Sequence, residues 1–415
     1  MKLFKKGELK ILWPFYLEYF IASALFFMPA FVIVYFAGLG FSAFQMGILL
    51  AVWPLTALLF EIPTGAFADL YGRKASVLLG YTLEALVMLS LFFWKDFKLM
   101  LLSFAVLGLA STFSSGSKDA WIVDLVNKKN KKLIHTFFNK QQFFLSIGLI
   151  FSGLLGAFFV KQYGVSIIWI ATFLSYCWSI GFLYFFTRDD HIIKKQTIKN
   201  SILKLKDQTK KSLDYSYKHH VLFYLIFAGM IATFALNLQG QISWISLFKN
   251  FGMKDYYFGY LWSAMAVITA VSPILAMKFL KKGKERNFIL SGVILWTITT
   301  FLILFTRSII PALVIMFLAI LFYFSKQPSE EVYFHRFIPS KLRASVGSVR
   351  NMFFSIAIII ILPLEGWLVD TIGARYTIFV SSLVMIPAII LYLMIREDKN
   401  DNKNSNKEVQ ELNEK

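Results

Sequence analysis

The chain has 415 residues, 57% of them hydrophobic and 45 of them phenylalanine, with a mean hydropathy of +0.62. A soluble domain this apolar could not cover its own surface, so the bilayer is the expected solvent for much of it. The single Cys177 excludes an intramolecular disulfide framework and a cysteine-based metal cluster, and the absence of a Walker-type phosphate loop removes support for an ATP-driven pump.

Hydropathy predicts twelve spans, at 11–37, 44–63, 75–94, 99–122, 137–160, 166–186, 221–247, 257–279, 287–306, 309–327, 348–369 and 376–395. The first follows Lys2, Lys5, Lys6 and Lys10. It is too long for a secretory signal and lacks a small-x-small cleavage site, so it reads as a retained span. With the N-terminus inside, the cytoplasmic segments carry roughly 33 Lys and Arg and the outer loops roughly 7. The net charge of +19 is therefore a topology signal rather than a nucleic-acid footprint. Both termini are expected in the cytoplasm.

The lysine-rich stretch within 188–220 separates a six-span bundle over 1–187 from a second over 221–396. Residues 397–415 are too polar to pack and read as a disordered cytoplasmic tail. The halves resemble each other at a displacement of about 211 residues. Asp119 then falls on Glu330, Asp124 on His335, Lys132 on Arg343, and Gly72-Arg73 on Gly283-Lys284, while Asp69 falls on Leu280.

Between spans two and three stands Gly65-Ala66-Phe67-Ala68-Asp69-Leu70-Tyr71-Gly72-Arg73-Lys74, a charged, glycine-punctuated turn between two apolar runs. Gly65, Asp69, Gly72, Arg73 and Lys74 match, position by position, a pattern of the form G-x-L-x-D-x-x-G-R-K/R. The segment resembles the signature loop of the major facilitator superfamily. That resemblance implies an all-α membrane protein of twelve transmembrane helices in two six-helix bundles, with secondary transport by alternating access. It also implies a latch role for the loop, in which Asp69 meets a helix N-terminus of the next repeat and Arg73 and Lys74 pair with Asp69 or with lipid phosphates. Gly65 and Gly72 are both expected to turn the backbone.

Ionisable groups inside the hydrocarbon are costly and so are functional suspects. Glu18 lies about seven residues into span one and Glu84 about nine into span three; each can carry a proton when facing apolar surroundings and release it when facing water. The family resemblance places span one at the central cavity and span three at the periphery, which favours Glu18. Glu61, ahead of the signature turn, and the run Ser114–Asp124 both resemble a bacterial subgroup of drug and small-molecule exporters. Glu61 is expected as a gating ion pair near the interface or as a third proton-coupling candidate. Lys118, Asp119 and Asp124 are expected to form an inner gate with Arg350 or Lys140.

Asn237, Gln241 and Trp244 recur at i, i+4 and i+7 and so share one helical face as candidate substrate ligands. Tyr16 and Tyr19, with Phe20, flank Glu18 as a candidate aromatic wall. Gly148, Gly153 and Gly156 resemble a diluted exporter motif of span five that lacks its proline, with Leu154 in its place. Together these readings give a monomeric plasma-membrane antiporter that exports a small, amphipathic molecule against protons, with no cofactor and no metal. The alternatives are an uptake permease of the same fold and, remotely, a non-transporting receptor or scaffold.

Overall fold

A computed structural model describes residues 4–5, 7–187, 214–217, 219–280, 283–339 and 342–395. Most of the inter-bundle linker, the tail 397–415, Lys2 and Lys6 lie outside the described residues, as does the side chain of Lys132. Among the described residues the regular structure is entirely helical.

The N-terminal half runs α1 (Glu8–Leu25), α2 (Met28–Gly38), α3 (Ala43–Tyr71), α4 (Arg73–Phe93), α5 (Phe97–Lys129), α6 (Ile134–Tyr163) and α7 (Ile167–Phe186). The C-terminal half runs α8 (His220–Leu238), α9 (Gln241–Asn250), α10 (Tyr257–Phe279), α11 (Glu285–Phe301), α12 (Ile309–Arg336), α13 (Arg343–Ile372) and α14 (Ala374–Met394). α1 with α2, and α8 with α9, are single spans broken in the middle, so twelve stretches are long and apolar enough to cross a membrane. The first break precedes Pro29, which has no N–H to return to the carbonyl of Leu25 and whose ring crowds it.

Several helices outrun their predicted spans. α3 continues to Tyr71, α5 to Lys129 and α12 to Arg336. Hydropathy sees only the apolar stretch, whereas a helix continues through polar residues until something stops it. Gly65 is consequently not a turn: it is interior to α3, exposed, with open space around it. The turn is Gly72 alone, at φ 102°, a conformation that side-chain-bearing residues avoid. At the opposite end of α3, Ser42 and Gln45 close a reciprocal capping box.

Cα packing divides the chain into two compact units, Met1–Asn200 with Gly252–Val267, and Ser201–Phe251 with Ile268–Lys415. The beginning of α10 thus packs with the first unit. There, Gly153 of α6 meets the Gly259 backbone with no room for a side chain on either, and Ser263 Oγ donates to the Ile150 carbonyl at 2.7 Å. The same helix pairings recur in both halves: α4 with α5 and α11 with α12; α1 with α7 and α8 with α14; α1 with α6 and α8 with α13. The left-handed glycines repeat likewise, as Gly40 and Gly252, Gly72 and Gly283, and Gly164 and Gly373, each pair about 210 positions apart. Many large apolar side chains, such as Phe93, Phe185 and Phe279, stay exposed, as a lipid-facing surface requires.

Candidate functional site: a buried charge cluster in the N-terminal half

α1, α4, α5 and α7 converge on a polar cluster within an otherwise hydrophobic core that includes Leu12, Phe15, Tyr16, Val77, Trp121 and Phe137. Glu18 on α1 is 1% exposed and receives the ammonium of Lys118 from α5 at 2.6 Å. Lys118 Nζ also donates to the hydroxyl of Tyr81 at 2.9 Å and lies 3.7 Å from the centroid of the Tyr19 ring. Val77, Tyr81, Glu84 and Met88 follow one face of α4, the face that packs on α5 and α7. That register buries Glu84 beside Tyr176 of α7, to which it is hydrogen-bonded, and the Tyr176 and Tyr81 rings are 5.7 Å apart. Glu84, expected at the periphery, therefore belongs to the same network as Glu18. Asp119, one residue past Lys118, is half-buried and accepts from Gln141 of α6 at 3.4 Å.

The cluster holds two carboxyls against one ammonium. Charge in hydrocarbon must be paired or neutralised, and Lys118 can balance only one of the two. A proton on the other makes the cluster neutral.

The charges expected at an inner gate have these partners within their own units. Lys118 is held by Glu18. Asp124 takes Arg73 at 2.7 Å, and Arg73 also donates to the Ala120 carbonyl at 2.6 Å. Lys140 pairs with fully buried Glu8 at 2.5 Å, and Arg350 pairs with Glu331 at 2.5 Å in the second unit. Each charge finds a partner in its own half. Lys74, assigned to lipid or to Asp69, donates to the carbonyls of Tyr184 and Thr187, where a cation complements the C-terminal dipole of α7. Asp69 is exposed in the last turn of α3, and Glu61 is exposed on the same helix.

The substrate residues also change place. Tyr16 is core: its hydroxyl donates to Glu8 at 3.0 Å and its ring stacks on Phe137 and Phe144. Tyr19 is the platform under Lys118 rather than an open wall. Asn237 and Gln241 fall on opposite sides of the break between α8 and α9, so no continuous helical face joins them to Trp244. Asn237 donates to the Thr233 carbonyl at 2.8 Å, and Trp244 stacks on Phe248.

In the C-terminal half, buried Lys326 pairs with Glu330, which also accepts from the Tyr392 hydroxyl at 2.8 Å, and the Lys326 ammonium lies 4.7 Å from the Tyr323 ring centroid. At the start of α11, Glu285 receives Arg336 from the end of α12 at 2.7 Å. These positions lie about 210 residues beyond Arg73 and Asp124, with the signs exchanged.

Two spans broken at mid-length, repeated helix pairings and buried ionisable clusters describe a two-bundle membrane protein, and the sequence profile of the Major Facilitator Superfamily matches residues 15–329 and 225–413. The chain belongs to the Major Facilitator Superfamily. It is a multi-pass membrane protein of a secondary-transporter family. It is 22% identical over 381 residues to an uncharacterized MFS-type transporter, YxaM, of Bacillus subtilis (strain 168), covering 89% of this chain and 92% of that protein. Among solved structures, it is similar to a POT family transporter in complex with a thioalcohol-conjugated peptide (TM-score 0.72, 14% identity, covering 92% and 94% of the two chains). A bacterial homologue of the iron transporter ferroportin in an inward-facing state gives 0.71 at 15% identity, covering 95% and 99%. The nucleoside transporter NupG gives 0.70 at 14% identity, covering 91% and 98%. At such identities these likenesses carry the superfamily fold alone.

Sequence reasoning missed Glu365 and Lys326. Both stand inside predicted spans, so the criterion that picked out Glu18 and Glu84 would have found them. It passed over Tyr81 and Tyr176 because aromatic content this high distinguishes no single ring.

Proposed function

We propose that this superfamily member exports a small, amphipathic molecule in exchange for protons. It does so as a monomer in the plasma membrane, with both termini cytoplasmic, where the excess of Lys and Arg in the cytoplasmic segments would hold them. One observation carries the coupling: two buried carboxyls, Glu18 paired with Lys118 and Glu84 hydrogen-bonded to Tyr176, stand in one network that holds a single ammonium. In the outward- and inward-open states water reaches the cluster by different routes, so the proton that neutralises it is exchanged with different sides. Residues of the signature turn then act in the cycle as helix-end contacts, Arg73 on α5 and Lys74 on α7.

The test is transport by Glu18→Gln in proteoliposomes with an imposed pH gradient, using a compound first found by thermal-shift screening of the detergent-purified protein. Gln mimics the protonated acid permanently. Gradient-driven transport should be lost while downhill exchange persists; undiminished uphill transport would remove Glu18 from the mechanism.

Uptake by the same network is the second reading, because the glycines that suggested export are occupied in packing. Gly148 abuts α1, Gly153 abuts α10 and Gly156 abuts Phe31 of α2. Accumulation or extrusion of the same compound in everted vesicles separates the two directions.

A further inference from the structure

Span seven is interrupted at Gln239-Gly240, and the gap is closed from the side by a carboxyl that the N-terminal cluster does not explain. Glu365 of α13 is fully buried. Its Oε1 accepts the backbone N–H of Ser243 at 2.8 Å, while the Gly240 N–H donates to the Asn237 carbonyl at 3.0 Å. A side chain at Gly240 would run into the carboxyl oxygens, so the glycine makes this approach possible. Glu365 thus caps the first turn of α9, where three N–H groups have no partner within the helix.

Among the described residues no ion pair to it is found. The elements packed on α13 are α8, α9 and α14. Their charged and titratable side chains are His220 and Tyr224 near the start of α8, Lys249 at the end of α9, and Arg375, Tyr376 and Tyr392 on α14, whereas the hydrogen bond that Glu365 accepts comes from the Ser243 backbone. On α13 itself, Arg350 is paired with Glu331 and Asp370 lies more than a turn beyond. Every other buried glutamate in the described residues except Glu84 has a Lys or Arg partner: Glu8 has Lys140, Glu18 has Lys118 and Glu285 has Arg336. Two acceptor oxygens at the break are buried without a hydrogen-bond donor, Glu365 Oε2 and Gln239 Oε1. A proton on Oε2 turns one unpartnered acceptor into a donor and removes an uncompensated charge from the bundle interior.

We propose that Glu365 is a second proton-binding site, located in the C-terminal half, whose occupancy is linked to how firmly α13 clasps the start of α9. Ionised, the carboxylate is held by the N-terminal dipole of α9 and the Ser243 N–H. Protonated, it keeps a weaker neutral hydrogen bond, and the two halves of span seven are freer to realign. The site lies at the break of a discontinuous helix, where bending requires little loss of regular hydrogen bonding. Its use in transport rests on the proton-coupled reading above; the site itself does not.

The test needs no substrate. Infrared difference spectra between alkaline and acidic pH, taken on the full-length protein in liposomes, report the carbonyl band of each carboxyl that gains a proton. Glu365→Gln should remove one band that persists in Glu84→Gln. Glu365→Asp keeps a carboxyl one methylene shorter, beyond reach of Ser243, and should shift that band. Bands unchanged in Glu365→Gln would overturn the site, whatever Glu84→Gln does. Loss of a band in Glu84→Gln alone would leave the N-terminal cluster standing without it. Should Glu365→Gln fail to fold, a spectrum of Glu365→Asp identical to wild type would overturn the proposal equally.

Discussion

Lys118→Met is the most informative perturbation of the buried cluster. It leaves Glu18, 1% exposed, without the ammonium 2.6 Å away. Removing one partner of a buried pair costs about 3–5 kcal/mol, because the remaining charge is neither solvated nor compensated. Loss of the cation from the Tyr19 face, 3.7 Å from Nζ, accounts for ~2 kcal/mol of that. Glu18→Gln should cost less, since the ammonium keeps Tyr81 and Tyr19 and still has Glu84 to balance it. The double variant Lys118→Met/Glu18→Gln removes both charges and leaves an apolar stem beside a neutral amide. It should lie about 2 kcal/mol below wild type, since the contact of the cation with the Tyr19 ring stays lost, giving a coupling energy of at least about 1–3 kcal/mol, outside the ~0.5 kcal/mol scatter of independent sites. Denaturant unfolding of the four proteins in one detergent, followed by circular dichroism, measures the cycle. A double variant as unstable as Lys118→Met would refute the argument, for the stranded charge would then not be the source of the loss.

Gly72→Ala should lower stability by about 1–2 kcal/mol because the position sits at φ 102°. Gly65→Ala, inside α3 with open space around it, should be neutral or stabilising by up to ~1 kcal/mol; melting temperatures of the two variants decide whether both glycines of the signature matter equally. Arg73→Asp should weaken the end of α4, and adding Asp124→Arg should restore most of the loss in thermal unfolding, because the second half already runs the same contact as Glu285 with Arg336. The exposed pair itself contributes under ~1 kcal/mol, so a swap that fails to rescue would assign the effect to the Ala120 carbonyl contact instead.

The fold was legible because bilayer thickness, charge partition and the span pattern are one-dimensional quantities, readable without knowing which helix meets which. The site was only half legible. Glu18 and Glu84 announced themselves by the cost of carrying a carboxyl in hydrocarbon, but their partner did not. Lys118 lies near the end of its predicted span, where a cation ordinarily faces water, and only the packing of α4 on α5, with Glu18 reaching in from α1, reveals it as buried. Asn237, Gln241 and Trp244 were aligned by a periodicity that assumes one continuous helix. Gly240 and a glutamate 125 positions later end that continuity. Arg73 and Lys74 were expected to pair with Asp69 or lipid phosphates because the helix ends they reach belong to other spans.

The exchanged signs at Arg73–Asp124 and Glu285–Arg336 bear on what the signature loop is for. The second half keeps a cation after its glycine, Lys284, yet makes its tether from the next residue, Glu285, to Arg336, and topology alone gives no reason for an acid at that helix start. What the two halves share is a tether across the same pair of helix ends, following a left-handed glycine in both, Gly72 and Gly283. An ion pair has the same Coulomb energy whichever end carries the cation, so a tether survives sign reversal whereas a topology signal does not. The contact between consecutive helices is therefore the element retained in both repeats, and the identity of its charges was free to change.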